Sequence, residues 1–259
     1  MEYYAILVIN RQGHQARLKL TMKDETAARL LKINRAFYAQ FAAPFANSRS
    51  TPQPGFVNLL ENLPAPCQQV LDVGCGNGRF GRYLQSEHFA LRYSGVDFTE
   101  ELLALAARDV KGNYYRRDIS QPGFLGGIGK FDLIVCLATM QHIPGRVNRN
   151  DMLREMRNHL KEDGRIFLSN WQFLESSRQR RKIRDWADVN LSEEDVEKGD
   201  YLLSWQREGS GLRYVCAIDA EETAVLVRHS GLRQIAQFRS DGREGNLNLY
   251  TVLAHEIQP

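Results

Sequence analysis

Three glycines and an acid stand where a ligand could lie against bare backbone. The run Leu71-Asp72-Val73-Gly74-Cys75-Gly76-Asn77-Gly78 follows a hydrophobic, strand-like stretch and precedes a helix-like one. A side chain at the glycines would hold a ligand off the main chain. About 20 residues beyond Gly76 the next apolar stretch ends at Asp97, where a carboxylate can accept hydrogen bonds from ribose hydroxyls. Together they read as a nucleoside site. The rival is a dinucleotide site, because Gly76-Asn77-Gly78-Arg79-Phe80-Gly81 satisfies G-x-G-x-x-G in a shifted register. Asp72 weighs against it. A carboxylate repels a pyrophosphate but attracts a ligand bearing an ammonium and a sulfonium, as S-adenosylmethionine does. A NAD-dependent oxidoreductase and a non-catalytic cofactor-binding protein stand as alternatives to a methyl transferase.

Such a loop needs a strand before it, a helix after it and parallel neighbours. From Val70 the apolar pattern alternates: strand Val70 to Val73, helix Arg79 to Ser86, strand Tyr93 to Val96, helix Glu100 to Val110, strand Asn113 to Arg116. The series continues with strand Phe131 to Leu137, helix Arg149 to Leu160, a turn at Glu162-Asp163-Gly164 and strand Arg165 to Ser169. Helix Ala220 to Ser230 and strands Gln234 to Ser240 and Asn248 to Ala254 close it. This predicts an α/β fold, a Rossmann-like seven-stranded mostly parallel sheet with an antiparallel last strand and helices on both faces. Residues 65–259 form the core, with an insertion at about 171–212 over the ligand edge, and residues 1–64 are an N-terminal extension and helical cap. In the cap, Leu30, Ile33, Phe37, Phe41 and Phe45 recur at helical spacing, with a break expected near Pro44. Tyr3 to Ile9 is strand-like, and Met22 is a candidate native start.

Composition excludes several classes. With 43% hydrophobic and 25% charged residues the chain is globular, and no apolar run approaches the roughly 20 residues a bilayer requires. A secretory signal layout is absent at Tyr3 to Ile9, so a cytoplasmic location is expected. Cys67, Cys75, Cys136 and Cys216 form no C-x-x-C pair, so free thiols and no metal are expected. A net charge of +3 is too small to mark a dedicated nucleic-acid module. Arg178, Arg180, Arg181, Lys182 and Arg184 nevertheless crowd into the insertion, with Trp171, Trp186 and Trp205 nearby in sequence. The run is either a solvated face or a hold on a phosphate backbone beside a stacked base.

The glycine run from Val70 to Gly78 resembles that of the class I S-adenosylmethionine-dependent methyltransferases. The likeness covers about residues 65 to 170 and extends to Gly95-Val96-Asp97-Phe98, Arg117-Asp118-Ile119 and Phe131-Asp132-Leu133-Ile134-Val135; Leu160 to Arg165 is similar to the family's L-K-P-G-G turn. It implies S-adenosylmethionine as cofactor, S-adenosylhomocysteine as product, and cofactor contacts from Asp72, Gly74, Gly76, Asp97, Phe98, Asp118, Ile119 and Leu137. Within that class, Phe37 to Arg49 followed by Pro52 and Pro54 is similar to the tRNA wobble carboxymethyluridine methyltransferases, including the methyltransferase part of AlkB-type homologues. Their tryptophan between the prolines is missing here. Ala138 to His142 resembles their A-V-I-H-H, with Gln141 for the first His, and Gly211 to Val215 their R-Y segment. The resemblance implies Tyr38 and Arg49 over the methionine carboxylate, and Gln141, Trp171, Arg213 and Tyr214 toward a substrate. His142 is the candidate catalytic residue, with a structural hydrogen bond as the alternative. The expected partner is tRNA, or else a small-molecule acceptor. An acidic acceptor would arrive ionised and need positioning by Arg or His, not a base.

Overall fold

The computed structural model describes residues 22–47, 51–89, 91–206 and 209–256. Tyr3 to Ile9 and Arg49 lie outside the described residues.

The first helix, α1 (Asp24–Asn47), bends at Phe41 (φ −113°, ψ 20°), three residues ahead of Pro44. The break falls before the proline because its ring displaces the carbonyls of the preceding turn. After α2 (Gly55–Leu60) the alternation begins: β1 (Gln69–Val73), α3 (Arg79–Ser86), β2 (Arg92–Asp97), α4 (Glu100–Asp109), β3 (Asn113–Arg116) and β4 (Phe131–Leu137). A short 3-10 turn, Met140–His142, leads to α5 (Arg146–Asn158) and β5 (Leu160–Trp171).

β5 is longer than the sequence predicts. The expected turn at Glu162-Asp163-Gly164 lies inside it as an irregularity, where Phe131 faces Leu160 but Leu133 faces Arg165. Three residues beyond an even register are absorbed, with Gly164 pressed against Leu160 so closely that a Cβ would sit 2.7 Å from its Cδ1.

The insertion then builds its own small sheet. α6 (Ser177–Arg180) leads to β6 (Ile183–Arg184), β7 (Asp200–Trp205) and β8 (Gly211–Cys216), all antiparallel. It therefore runs past 212, through β8. The chain ends with α7 (Ala220–Arg228), β9 (Leu232–Ser240) and β10 (Asn248–His255).

The main sheet has the order β3-β2-β1-β4-β5-β10-β9, and β10 runs antiparallel to both neighbours. One face packs Phe56, Phe80, Leu84, Leu133, Val135 and Phe167 against α2 and α3. The other packs Ile134, Cys136, Leu153, Met156 and Leu226 against α5 and α7 and continues into Leu202 and Tyr214 of the small sheet. Parallel strands covered on both faces leave their C-terminal ends as the open edge. α1 and the small sheet close over that edge.

Candidate functional site

β1 delivers the glycine turn, and each glycine there is needed for a different reason. Gly74 has φ +73°, and a Cβ on it would lie 2.3 Å from Thr139; the neighbouring loop demands it. Gly76 has φ +54° and nothing within 4 Å of a Cβ position, so its missing side chain leaves open space in a cavity of about 600 Å³. This volume suits a cofactor-sized ligand.

Two carboxylates flank that space. Asp97 accepts from the Gly76 amide (3.0 Å) and the Thr99 amide (2.9 Å), which leaves lone pairs of both oxygens for a ligand. Burial raises its pKa, and the two backbone donors oppose the rise. Asp72 is 3% exposed and accepts from the Tyr93 hydroxyl at 2.7 Å. Burial pushes its carboxyl up to about 7; the Tyr93 hydrogen bond opposes this and Asp97 adds to it. The Arg79 charge also opposes the rise.

Phe98, Asp118, Ile119 and Leu137 also line the cavity. Asp118 is held by an ion pair with Arg35 of α1 and by the Ser120 amide and hydroxyl. On the far side, Tyr38, Gln141, His142, Trp171 and Arg213 form the wall. His142 Nδ1 lies 3.2 Å from the Tyr214 carbonyl, which can only accept, so this nitrogen carries the proton. Nε2 then accepts from the Tyr38 hydroxyl at 2.9 Å. Asn34 joins the same network, donating to the carbonyls of His142 and Tyr214 and accepting from the Tyr214 amide. Gln141 turns its oxygen to the Trp171 amide (2.6 Å) and so fixes the tryptophan.

Arg213 is 5% exposed, and its guanidinium lies 5.1 Å from the Trp171 ring centre, 5.5 Å from Phe37 and 5.7 Å from Trp205. Its Nε has no hydrogen-bond partner among the described residues. Tyr214 corrects the expectation of a substrate contact. Successive residues of β8 face opposite ways, so with Arg213 in the cavity Tyr214 points into the core, fully buried, and donates to Asp200 at 2.6 Å. Trp186 likewise belongs to the core.

Arg79 and Gln53 line the cavity too, although the motif reading gives neither a ligand role. Signals were present: Arg79 directly follows the glycine run, and Gln53 stands between the two prolines. Of the basic run, Arg178 and Lys182 reach the cavity wall, while Arg184 pairs with Asp188 at 2.9 Å. Burial raises Cys67 to about 11 and Cys136 and Cys216 to about 12, so these thiols stay protonated at neutral pH.

Comparison with known proteins agrees with this geometry. Residues 70–164 match a family described as methyltransferase domain. A protein of Encephalitozoon cuniculi that bears the name "Putative methyltransferase" is 27% identical over 197 residues, covering 76% of this chain and 85% of that protein. A ubiquinone biosynthesis O-methyltransferase of Glaesserella parasuis is 26% identical over 39% of this chain and 44% of its own length, under half of that enzyme. A solved S-adenosylmethionine-dependent methyltransferase from Clostridium acetobutylicum superposes with a TM-score of 0.59 at 18% identity, over 85% of this chain and 97% of that one. The open space at Gly76, the ribose-type carboxylate of Asp97 and the buried acid Asp72 fit a nucleoside with a cationic end. Residues 70–164 thus match a methyltransferase domain, and the chain has the fold of solved S-adenosylmethionine-dependent methyltransferases.

Proposed function

We propose that the protein methylates a carboxylate, and that a modified tRNA base carries it. The observation behind this reading is Arg213: a buried guanidinium boxed by Phe37, Trp171 and Trp205, lining the same cavity as the glycine turn. A buried cation is costly without an anion, and a planar guanidinium matches a carboxylate through two parallel hydrogen bonds.

S-adenosylmethionine supplies an electrophilic methyl group with a neutral thioether as leaving group. The chain's own task is alignment. Asp97 and the Gly76 turn hold the nucleoside, and Asp72 holds the cationic end. Arg213 fixes the acceptor, while the aromatic walls exclude water and keep its attraction unscreened. An ionised carboxylate needs no base, which suits a site where both His142 ring nitrogens are already engaged. Tyr38 and His142 act as positioning residues. Arg178 and Lys182 at the wall, continuous with exposed Arg180 and Arg181, suit flanking phosphates.

The test is transfer of labelled methyl to unmodified and carboxylated tRNA and to a panel of small carboxylic acids. The proposal expects label on the carboxylated tRNA, released by mild alkali as methanol, because an ester is alkali-labile. Alkali-stable label overturns the carboxylate reading, and transfer confined to small acids overturns the tRNA reading.

A further inference from the structure

Only one of the two polar atoms of Gln141 is engaged. The residue is 3% exposed and borders the cavity. Its Oε1 accepts from the Trp171 amide at 2.6 Å, and because an N–H can only donate, this bond settles which end of the side-chain amide faces which way. Nε2 is turned the other way, donates to no group among the described residues and is left at the cavity surface. The short turn Met140–His142 that carries Gln141 also touches the cofactor half of the site, since Thr139, just before it, donates from Oγ1 to the Gly74 carbonyl at 3.3 Å. Trp171 touches the other half, with its ring centre 5.1 Å from the Arg213 guanidinium. Gln141 thus stands between the glycine turn and the aromatic box. Both ring nitrogens of the next residue, His142, are already paired. An occupant of the cavity must meet the Gln141 N–H with an acceptor, because a buried donor left unpaired is costly.

We infer that Gln141 determines the specificity of the acceptor site, its Nε2 donating to one oxygen of the acceptor carboxylate while Arg213 holds the group by charge. This rests on the carboxylate reading above. Arg213 and the Gln141 Nε2 are donors only, and the Gln141 oxygen is already spoken for by Trp171. An ionised carboxylate, which only accepts, satisfies both side chains. A carboxamide of the same shape offers one oxygen instead of two and brings its own N–H groups against these donors, so the site should reject it. The bond to the Trp171 amide keeps Nε2 from turning away. One side chain therefore fixes the aromatic wall with its oxygen and reads the acceptor with its nitrogen.

Binding of carboxylated tRNA and of the matching carboxamide tRNA, each measured in the presence of S-adenosylhomocysteine, tests the inference beside labelled-methyl transfer. If label falls on small acids alone, an acid and its amide from that panel replace the two RNAs. The wild-type chain should prefer the acid at least about tenfold, as expected for a hydrogen bond to a charged group. Gln141→Glu keeps an oxygen for the Trp171 amide and exchanges the donor for an acceptor. It should lower the preference at least about tenfold and raise the acceptor KM by as much, with S-adenosylhomocysteine affinity within about twofold of wild type. A residue that only braced Trp171 would tolerate this change. Gln141→Met, which has neither polar atom, should lower the preference as well. Wild-type chain that transfers methyl to no carboxylate contradicts the carboxylate reading itself. Wild-type chain that methylates the acid yet binds the amide equally well, or Gln141→Glu that keeps the wild-type preference or KM, overturns the role of Gln141 alone. So does loss of S-adenosylhomocysteine affinity in both variants, since the fold and not the acceptor would then require the amide.

Discussion

Asp72→Asn should make the protein more stable and a poorer binder at once. The carboxyl is 3% exposed and titrates at about 7, against 3.8 for an ordinary aspartate. Because the folded pKa is raised, the wild-type fold loses stability as pH climbs from the unfolded value to the folded one, and below about pH 4 ionisation costs it nothing. Roughly three pH units at about 1.4 kcal/mol each set the loss at about 4 kcal/mol by pH 7, after which it is constant. Asparagine cannot ionise, and its carbonyl oxygen still accepts from Tyr93, which donates to the wild-type Oδ2 at 2.7 Å. Denaturant unfolding of both ligand-free proteins from pH 4 to pH 8.5 should therefore show a gap in favour of Asp72→Asn that opens above about pH 4 and levels off near pH 7. Titration with S-adenosylmethionine at pH 8 should show the opposite order, because the removed charge is the one that meets the cation. A gap independent of pH, a less stable variant at pH 8, or undiminished affinity would refute the reasoning.

Gly76→Ala should lower S-adenosylhomocysteine affinity at least about tenfold while costing the fold about 1 kcal/mol, since φ is +54° and the Cβ enters open cavity; calorimetry and urea unfolding check the two parts. Asp97→Ala should weaken the same ligand by about 1.5–3 kcal/mol, the value of hydrogen bonds to a charged group, and a change below about twofold contradicts the ribose contact. Arg213→Met should abolish methyl transfer to a carboxylate yet leave S-adenosylhomocysteine affinity unchanged, read by labelled-methyl assay beside calorimetry. Replacing Arg178, Arg181 and Lys182 with Gln should flatten the log–log salt dependence of tRNA binding by about 0.9 per lost phosphate contact for duplex and 0.7 for single strands; an unchanged slope removes these side chains from the RNA face.

Much of the scaffold is legible in the sequence because burial on both faces writes strands as short apolar runs. α3, β3 and β4 have the bounds that the pattern predicts, and the antiparallel last strand is also found in the sheet. What local pattern cannot carry is three-dimensional. The bend of α1 falls at Phe41 because a proline disturbs the turn before it, not its own position. The small sheet of β6, β7 and β8 does not alternate apolar with polar residues, because both of its faces are buried: Leu202 and Tyr214 face the main core, and Leu203 and Val215 face a cluster with Phe173. In the site, Asp72 and Asp97 are readable from their distance to the glycines. Arg213 and Tyr214 are readable only as a pair, although alternation along β8 admits one of them to the cavity. Arg79 and Gln53 meet across a turn from separate segments, and no spacing rule joins them.

The most direct test of a cationic nucleoside cofactor beside Asp72 is a calorimetric titration of the wild-type chain with S-adenosylmethionine and with NAD, run at pH 6 and pH 8.5 in buffers of different ionisation enthalpy. The account predicts one S-adenosylmethionine site that releases about one proton at pH 6, where Asp72 must ionise, and takes up protons at pH 8.5, where the free ligand's α-amino group, of pKa about 8, must regain its charge, with no heat from NAD. Binding of NAD, or S-adenosylmethionine binding without proton release at pH 6, would contradict it.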